Sequence, residues 1–133
     1  MTKIKLEYVH FMPSAFKLGV LYVSKEFEIA VHLCACGCGS KVRTPLGPTE
    51  WTFQKTEEGP SLEPSIGNWQ LPCRSHYVIK RGEILWARPW SHMEIERGSK
   101  IEQIRREVYY RKMYSKQSNI FKHILEWFRK LFQ

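Results

Sequence analysis

Aspartate is missing from this sequence, and all 13 of its acidic residues are glutamate. A serine–histidine–aspartate triad is therefore excluded within the chain, and a carboxylate that orients a histidine would have to be a glutamate. The sequence also lacks any run of about eighteen apolar residues, so we expect no helix that crosses a membrane. Its N-terminus has no apolar signal-peptide core, and we therefore expect a cytoplasmic protein.

The composition indicates a single folded domain with an uneven charge. The chain has 133 residues, of which 43% are hydrophobic, and this is enough for one core. Residues 1–98 hold 12 lysines and arginines against 10 glutamates, whereas residues 99–133 hold nine against three. Most of the positive charge thus lies in the last quarter, where nucleic acid, anionic lipid or an acidic protein could complement it. A solvated helical face is the simpler interpretation.

Short β-rich runs precede a helical C-terminal region. Alternating or β-branched residues predict strands, and proline and glycine make 61–72 an ordered loop. The predicted strands are 3–11, 19–24, 28–33, 40–46 and 50–56, followed by a hairpin over 76–90 that turns at Arg81-Gly82. Ser99 with Glu102 predicts a capped helix, and Ser118 or Asn119 the start of a second. The fold class is therefore α+β, a small β-rich body with C-terminal amphipathic helices.

All four cysteines lie in two short segments. Cys34, Cys36 and Cys38 form a Cys-x-Cys-x-Cys cluster, and Cys73 stands far downstream. In a reducing compartment such clusters indicate metal binding before disulfides, and four thiolates suit tetrahedral zinc. We therefore predict a structural zinc site that staples the β-rich body. Reduced or redox-active thiols and an iron–sulfur site are the alternatives.

The number of cysteine ligands decides what the metal can do. Four thiolates fill the coordination sphere of zinc, so no position remains for the water that catalytic zinc needs. His32 and His76 lie close to the cysteines in sequence, and either could replace one thiolate and leave that position open. A metalloprotease using one of these histidines therefore stays open as an alternative.

A serine near a histidine raises the possibility of nucleophilic catalysis. Ser65 follows Pro64 and precedes Gly67 in a segment punctuated like a fixed, exposed loop, and His76 follows Cys73 closely. The backbone amides of Ile66 and Gly67, and less favourably Asn68, are candidates to stabilise an oxyanion. A loop serine bonded to its own backbone and an interior histidine are the ordinary alternatives.

Three segments together resemble a known family. They are HLCACGCGSKV (32–42), SLEPSIGNW (61–69) and CRSHYVIKRGEILWA (73–87). The resemblance is to small bacterial proteins encoded beside E1-like, E2-like and ubiquitin-like genes, which are regarded as serine peptidases with a Ser-His dyad. It implies that His76 is the base and Ser65 the nucleophile, with Ser75 and Ser61 as alternatives. It also implies that the four cysteines hold zinc. Ala35 stands where many members are expected to carry proline.

The implied substrate is a ubiquitin-like protein or its conjugates, and E1-like or E2-like proteins are further possible partners. Trp69, Trp86 and Trp90 could contact an extended substrate tail, although core packing is the simpler role for tryptophan. A non-enzymatic zinc-binding adaptor in the same pathway is the main alternative function. We expect a zinc-binding catalytic body over residues 1–98 and a basic amphipathic tail over residues 99–133, packed on that body.

The helical tail carries a wide apolar stripe opposite its basic residues. The stripe consists of Ile120, Phe121, Ile124, Leu125, Phe128, Leu131 and Phe132. It could pack on the body, form a homodimer, dock on a partner from the same pathway or lie in a membrane interface. Residues 105–116 interleave basic and aromatic side chains, but without a recognised motif we expect no specific nucleic-acid partner.

Overall fold

A computed structural model describes residues 2–131 and shows an α+β protein, as the sequence predicted. Eight strands precede one long helix. The strands are β1 (Lys5–Tyr8), β2 (Val20–Ser24), β3 (Ile29–Leu33), β4 (Lys41–Pro45), β5 (Thr52–Thr56), β6 (Gly59–Gly67), β7 (His76–Lys80) and β8 (Glu83–Trp86), and the helix is α1 (His92–Leu131). The chain divides into two compact units between Ser91 and His92, and each unit is described by itself.

The strands form two four-stranded sheets, ordered β1-β2-β3-β4 and β5-β6-β7-β8. Every pair is antiparallel except β1 and β2, which are parallel and joined by residues 9–19. Both sheets contribute apolar side chains to one core. Its fully buried members include Leu21, Val23, Leu62, Tyr77 and Ile79.

The predicted hairpin over 76–90 is confirmed as β7 and β8, with its turn at Arg81-Gly82. Both turn residues have positive φ, 50° and 74°, which is typical of the tight turns that match strand twist. A Cβ atom at Gly82 would lie 2.5 Å from the carbonyl oxygen of Glu58, so glycine lets the two turns of this sheet meet. The N-terminal arm joins the same end, because Ile4 N–H donates to the carbonyl of Gly82 at 2.8 Å.

The prediction of a loop over 61–72 is wrong for its first part, because β6 continues to Gly67. Proline normally interrupts a sheet because it has no amide to donate. Here Pro60 contributes only its carbonyl, which accepts from Gly82 N–H at 2.8 Å, and Pro64 lies where the register shifts between Leu62 and Ile66. Both prolines therefore occupy positions at which a strand tolerates them.

The helical region also differs from its prediction. A single helix begins at His92, before the expected cap at Ser99, and passes through Ser118 and Asn119 without ending. Serine or asparagine in a helix interior is only about 0.5 kcal/mol less favourable than alanine, so neither residue ends the helix. Its apolar side chains, including Ile120, are exposed, and Phe132 of the predicted stripe lies outside the described residues. Within residues 2–131, no helix has an apolar stretch sufficient to cross a bilayer.

Candidate active site and metal centre

The pairing of β6 with β7 brings Ser65 and His76 together. Gly67 is the cross-strand partner of His76, and residues directly opposite in a sheet present their side chains to the same face. Ser65 lies two positions before Gly67 and shares that face, whereas Ile66 between them is buried in the core. Ser65 Oγ lies 2.9 Å from His76 Nε2. A hydroxyl and an imidazole are thus within hydrogen-bonding distance.

The second nitrogen of His76 determines which way this hydrogen bond runs. His76 Nδ1 lies 2.7 Å from the backbone carbonyl oxygen of Arg88. A carbonyl can only accept, so Nδ1 carries the proton in the neutral ring and Nε2 is left as the acceptor for the Ser65 hydroxyl. The Arg88 carbonyl therefore occupies the place of the carboxylate that orients histidine in a catalytic triad.

The position of Arg88 follows from the β7–β8 ladder. Ala87 N–H donates to the carbonyl of His76 at 2.9 Å, so the chain leaving β8 passes directly beside His76. No sequence pattern marks this group. A backbone carbonyl is present in every residue, so no residue type at position 88 could have identified it.

Two tryptophans enclose the histidine ring. The Trp69 ring centroid lies 5.0 Å from that of His76, the Trp90 centroid lies 5.3 Å from it, and the two indoles stack at 5.7 Å. A Cβ atom at Gly67 would lie 2.5 Å from Trp69 Nε1, so glycine makes room for the indole. These contacts hold the imidazole plane and leave His76 only 7% exposed. The third predicted aromatic, Trp86, instead contacts Tyr77 at 5.3 Å.

The other two serines considered as nucleophiles have different partners. Ser75 precedes His76 on the chain and points to the opposite face, where its Oγ lies 3.0 Å from Cys34 Sγ. Ser61 Oγ accepts a hydrogen bond from the backbone amide of Arg81 at 2.8 Å. Of the three serines considered, the structure brings Ser65 to the imidazole.

The three candidate oxyanion donors are in different situations. Asn68 N–H donates to the carbonyl of Ser75 at 2.9 Å, so this amide is already used. Hydrogen-bonded and non-hydrogen-bonded pairs alternate along an antiparallel ladder. Because Asn68 is bonded to Ser75, the next pair, Gly67 and His76, is non-bonded, and the pair after it, Ile66 and Tyr77, is bonded. The amide of Gly67 is therefore the one of the three that points away from β7.

The four cysteines form a group that could hold a metal ion, as predicted. Their sulfur atoms lie within 4.8 Å of one another. Cys34 Sγ is 3.4 Å from Cys36 Sγ and 3.8 Å from Cys73 Sγ. A tetrahedral site with metal–sulfur bonds of about 2.3 Å needs sulfur atoms about 3.8 Å apart. The spacing of the thiols therefore fits a tetrahedral metal.

A tight turn between β3 and β4 gathers three of the thiols. Cys34 N–H donates to the carbonyl of Ser40 at 2.8 Å and closes the turn, in which Gly37 and Gly39 have φ values of 88° and 85°. Glycine adopts such positive φ at little cost, which explains its place between and after the cysteines. Hydrogen bonds from the side chain and the backbone of Ser40 lower the pKa of Cys38 to about 6. The lowered pKa favours the thiolate of Cys38, the form that binds metals, whereas burial raises the pKa of the neighbouring Cys36 thiol.

Polar side chains surround the thiols on the buried side. Asn68 Nδ2 donates to Ser75 Oγ at 2.9 Å and lies 3.8 Å from Cys34 Sγ. Cys73 Sγ is 3.5 Å from the same hydroxyl. The side chain of Asn68, considered for the oxyanion, therefore belongs to the surroundings of the cysteine cluster. Such partners orient metal ligands and stabilise their charge.

Neither histidine considered as a metal ligand belongs to this group. His32 Nε2 lies 2.6 Å from the hydroxyl of Tyr77, and burial lowers the pKa of His32 to about 4, which keeps the ring neutral. Both nitrogens of His76 face other partners, namely Ser65 and Arg88. Among the described residues, the candidate metal ligands are the four cysteines alone.

Comparison with known proteins identifies the family of the chain. The sequence model of a family described as "Bacterial ubiquitination-like system serine protease (BubE)" matches residues 8–87. The chain belongs to the BubE family. The match covers the cysteine cluster, Ser65 and His76, and it confirms the resemblance seen in the sequence. Neither curated proteins nor solved structures yielded a match. The BubE description implies a serine protease and, through its system, ubiquitin-like partners.

Proposed function

We propose that this BubE-family chain is a serine peptidase that cleaves a bacterial ubiquitin-like protein from its precursor or conjugates. Ser65 is the nucleophile and His76 the general base. The observation that carries the proposal is the connected series of Ser65 Oγ, His76 Nε2, His76 Nδ1 and the Arg88 carbonyl, with separations of 2.9 and 2.7 Å. This is the arrangement that activates a hydroxyl for attack on a carbonyl carbon.

The reaction follows from the protonation of the ring. As Ser65 Oγ attacks the scissile carbonyl, its proton passes to His76 Nε2, and the Arg88 carbonyl stabilises the resulting imidazolium through Nδ1–H. His76 then donates that proton to the leaving amine, the amide bond breaks, and an ester joins Ser65 to the acyl part of the substrate. Water, deprotonated by His76, hydrolyses this ester and restores the serine.

The amide of Gly67 is the donor best placed for the oxyanion. It belongs to the strand that carries Ser65 and points away from the β6–β7 ladder. A single rigid strand thus carries both the nucleophile and the donor. Loss of one oxyanion donor typically costs a serine protease about 10²–10³ in kcat.

The metal in this proposal is zinc with a structural role. Four thiolates would complete a tetrahedral sphere, so the metal itself leaves no site for water or substrate. Cys73 lies three residues before His76, and between them Ser75 faces the thiols while His76 faces Ser65. The metal would therefore secure the start of β7, and with it the position of the imidazole. The proton transfers remain those of Ser65 and His76.

The substrate assignment rests on the family description, whose system contains ubiquitin-like proteins. The probe is a fusion of the ubiquitin-like protein of the same system with green fluorescent protein attached to its C-terminus. Purified chain should separate the two proteins, and mass spectrometry should locate the cut at the end of the ubiquitin-like protein. An intact fusion under conditions in which the chain is folded would favour the adaptor function instead.

Substitution of each serine in turn tests the nucleophile. Ser65→Ala should lower kcat by at least about 10⁴-fold while the metal content and the melting temperature stay unchanged. Ser61→Ala is a matched control on the same strand and should retain cleavage. Full activity of Ser65→Ala would refute the dyad, and loss of activity only in Ser75→Ala would move the nucleophile to the face of the cysteines.

A further inference from the structure

A small slot reaches the strand of the proposed dyad at Gly67, the cross-strand partner of His76, although neither Ser65 nor His76 lines it. A cavity of about 190 Å³ is lined by residues of β4 and by the segment that follows Ser65. Its lining includes Lys41, Arg43, Trp51, Gly67, Gln70 and Leu71. Within the described part of the chain, no residue of β3 or β7 lines it. It therefore lies on the side of β4 that faces away from β3, and on the side of Gly67 that faces away from β7.

At Lys41 and Arg43 the wall formed by β4 presents backbone groups that pair with no other strand in residues 2–131, whereas the carbonyl of Pro45 accepts from Trp51 N–H at 3.1 Å. This strand is at the edge of its sheet. The bond from Cys34 N–H to Ser40 O and that from Leu46 N–H to Glu28 O fix the alternation of the β3–β4 ladder. By that alternation Lys41 and Arg43 belong to non-bonded pairs, so their amides and carbonyls point away from β3 and toward the slot.

The opposite wall presents a second backbone group. Strand β5 pairs with β6 only as far as Glu63, so the later residues of β6 have no β5 partner. Gly67 forms a non-bonded pair with His76, and its amide and carbonyl therefore point away from β7. An extended chain lying in the slot would meet hydrogen-bonding backbone on both sides.

The size of the slot limits what it can take. Small-molecule and cofactor sites usually enclose about 300–1,000 Å³, and this cavity is smaller. Trp51 and Leu71 are among its lining residues, and Gly67 contributes no side chain. The space therefore suits a short length of extended backbone with small side chains, held in the manner of an added strand.

We infer that this slot binds the residues that precede the scissile bond as an extended strand, paired with the backbone of Lys41 and Arg43 and with the carbonyl of Gly67, and that it selects small side chains there. The inference rests on the proposed function, because the slot ends at the strand that carries Ser65. In a ubiquitin-like conjugate the residues before the scissile bond are constant while the group beyond it varies. A site that recognises every conjugate must therefore read that constant side.

Proline at position 43 tests the pairing. Arg43→Pro removes the outward amide without breaking a β3–β4 bond, and edge strands tolerate proline at such positions. Lys55→Pro is the matched control. Lys55 is exposed on the edge strand β5 opposite Pro60, and the carbonyl of Pro60 accepts from Gly82 instead of pairing with β5. The amide of Lys55 therefore also points away from its sheet, so proline there breaks no ladder bond. With the fluorescent-protein fusion as substrate, Arg43→Pro should raise KM about tenfold relative to Lys55→Pro. Equal KM values in the two variants would overturn the inference.

Arg43→Ala separates backbone from charge, because it keeps the amide and removes the guanidinium. Its KM should rise less than that of Arg43→Pro. An equal rise in both would assign the effect to the side chain and overturn the pairing.

A change in the substrate avoids any question of enzyme folding. Leucine in place of either of the two residues before the scissile bond should reduce kcat/KM at least about tenfold, since the slot is too narrow for it. Unchanged cleavage of these fusions would overturn the selection of small side chains.

The outcomes separate this inference from the proposed function. If Ser65→Ala cleaves as fast as the unmodified chain, the dyad fails and the slot loses its role with it. If Ser65→Ala is inactive but Arg43→Pro and the leucine fusions behave like their controls, the dyad stands and the slot alone is refuted.

Discussion

His76 Nδ1 lies 2.7 Å from the backbone carbonyl oxygen of Arg88, so a neutral main-chain group orients the proposed catalytic imidazole. This contact answers the question raised by the lack of aspartate. A carbonyl holds the ring in the required tautomer without a buried negative charge, whose desolvation would be costly. It also stabilises the imidazolium less than a carboxylate would, because a neutral carbonyl does not supply the opposite charge of a carboxylate.

The first prediction is that no carboxylate assists His76. Glu63 is the glutamate closest in sequence to Ser65, and it pairs with Thr52 on β5. Because the Arg88 carbonyl already accepts from Nδ1, Glu63→Gln should keep kcat within about threefold of the unmodified chain. Steady-state cleavage of the fusion substrate measures this. A loss of about 10⁴-fold, typical of triads that lose their acid, would show that a glutamate completes the site.

The second prediction concerns the fit between Gly67 and Trp69. A methyl group at position 67 would lie 2.5 Å from Trp69 Nε1, so Gly67→Ala should displace the indole from His76. We expect kcat to fall at least about tenfold, since small displacements of catalytic groups have large effects. Gly47→Ala is the control, because a Cβ atom there has no neighbour within 4 Å. Equal rates for the two variants would show that the indole does not position the imidazole.

The third prediction is that removal of the metal unfolds the β-rich unit, and does not only abolish its peptidase activity. Elemental analysis should find one zinc ion per chain, and Cys73→Ser should weaken or abolish its binding. Structural zinc contributes about 10 kcal/mol or more to small folds, so chelation should lower the melting temperature sharply. If the chelated protein keeps its melting temperature but loses activity, a catalytic role for the metal would replace the structural one.

The fourth prediction concerns the buried pair of His32 and Tyr77. Their Nε2 and hydroxyl atoms are 2.6 Å apart, and His32 Nδ1 has no partner among the described residues. Tyr77→Phe would leave the imidazole without either hydrogen bond, which should cost about 1–3 kcal/mol in the free energy of unfolding. Urea denaturation of the metal-loaded protein measures this loss.

Tyr22→Phe provides the comparison for that measurement. The Tyr22 hydroxyl accepts one bond, from the partly buried Lys17 amide at 3.0 Å. Removal of the Tyr22 hydroxyl should lower the free energy of unfolding by less than Tyr77→Phe does, because water can replace it as the partner of the Lys17 amide. An equal or smaller loss in Tyr77→Phe would show that the His32 contact contributes little to stability.

Much of the β-rich unit could be predicted because its signals are local. Short β-rich runs identified β2 and β3, alternation identified the N-terminal run that contains β1, and Arg81-Gly82 identified the turn between β7 and β8. The strand character of 59–67 was missed because proline opposes strands locally, whereas the β6 ladder tolerates it at Pro60 and Pro64. The single helix was missed for a related reason, since cap residues such as Ser99 mark a helix start only where the chain before them is not already helical.

By itself the sequence determined which chemical groups are available: four thiols that suit one metal, and a serine and a histidine without an aspartate. It also determined most of the strands, because β-branched and alternating apolar residues favour them locally. Only the tertiary structure decided which serine meets His76, because the register of β6 against β7 places Ser65 there and turns Ser75 toward the cysteines. It also decided that the Arg88 carbonyl orients the ring and that the backbone of β4 and Gly67 borders a slot. Backbone groups are the same in every residue, so their role depends on where the fold brings them.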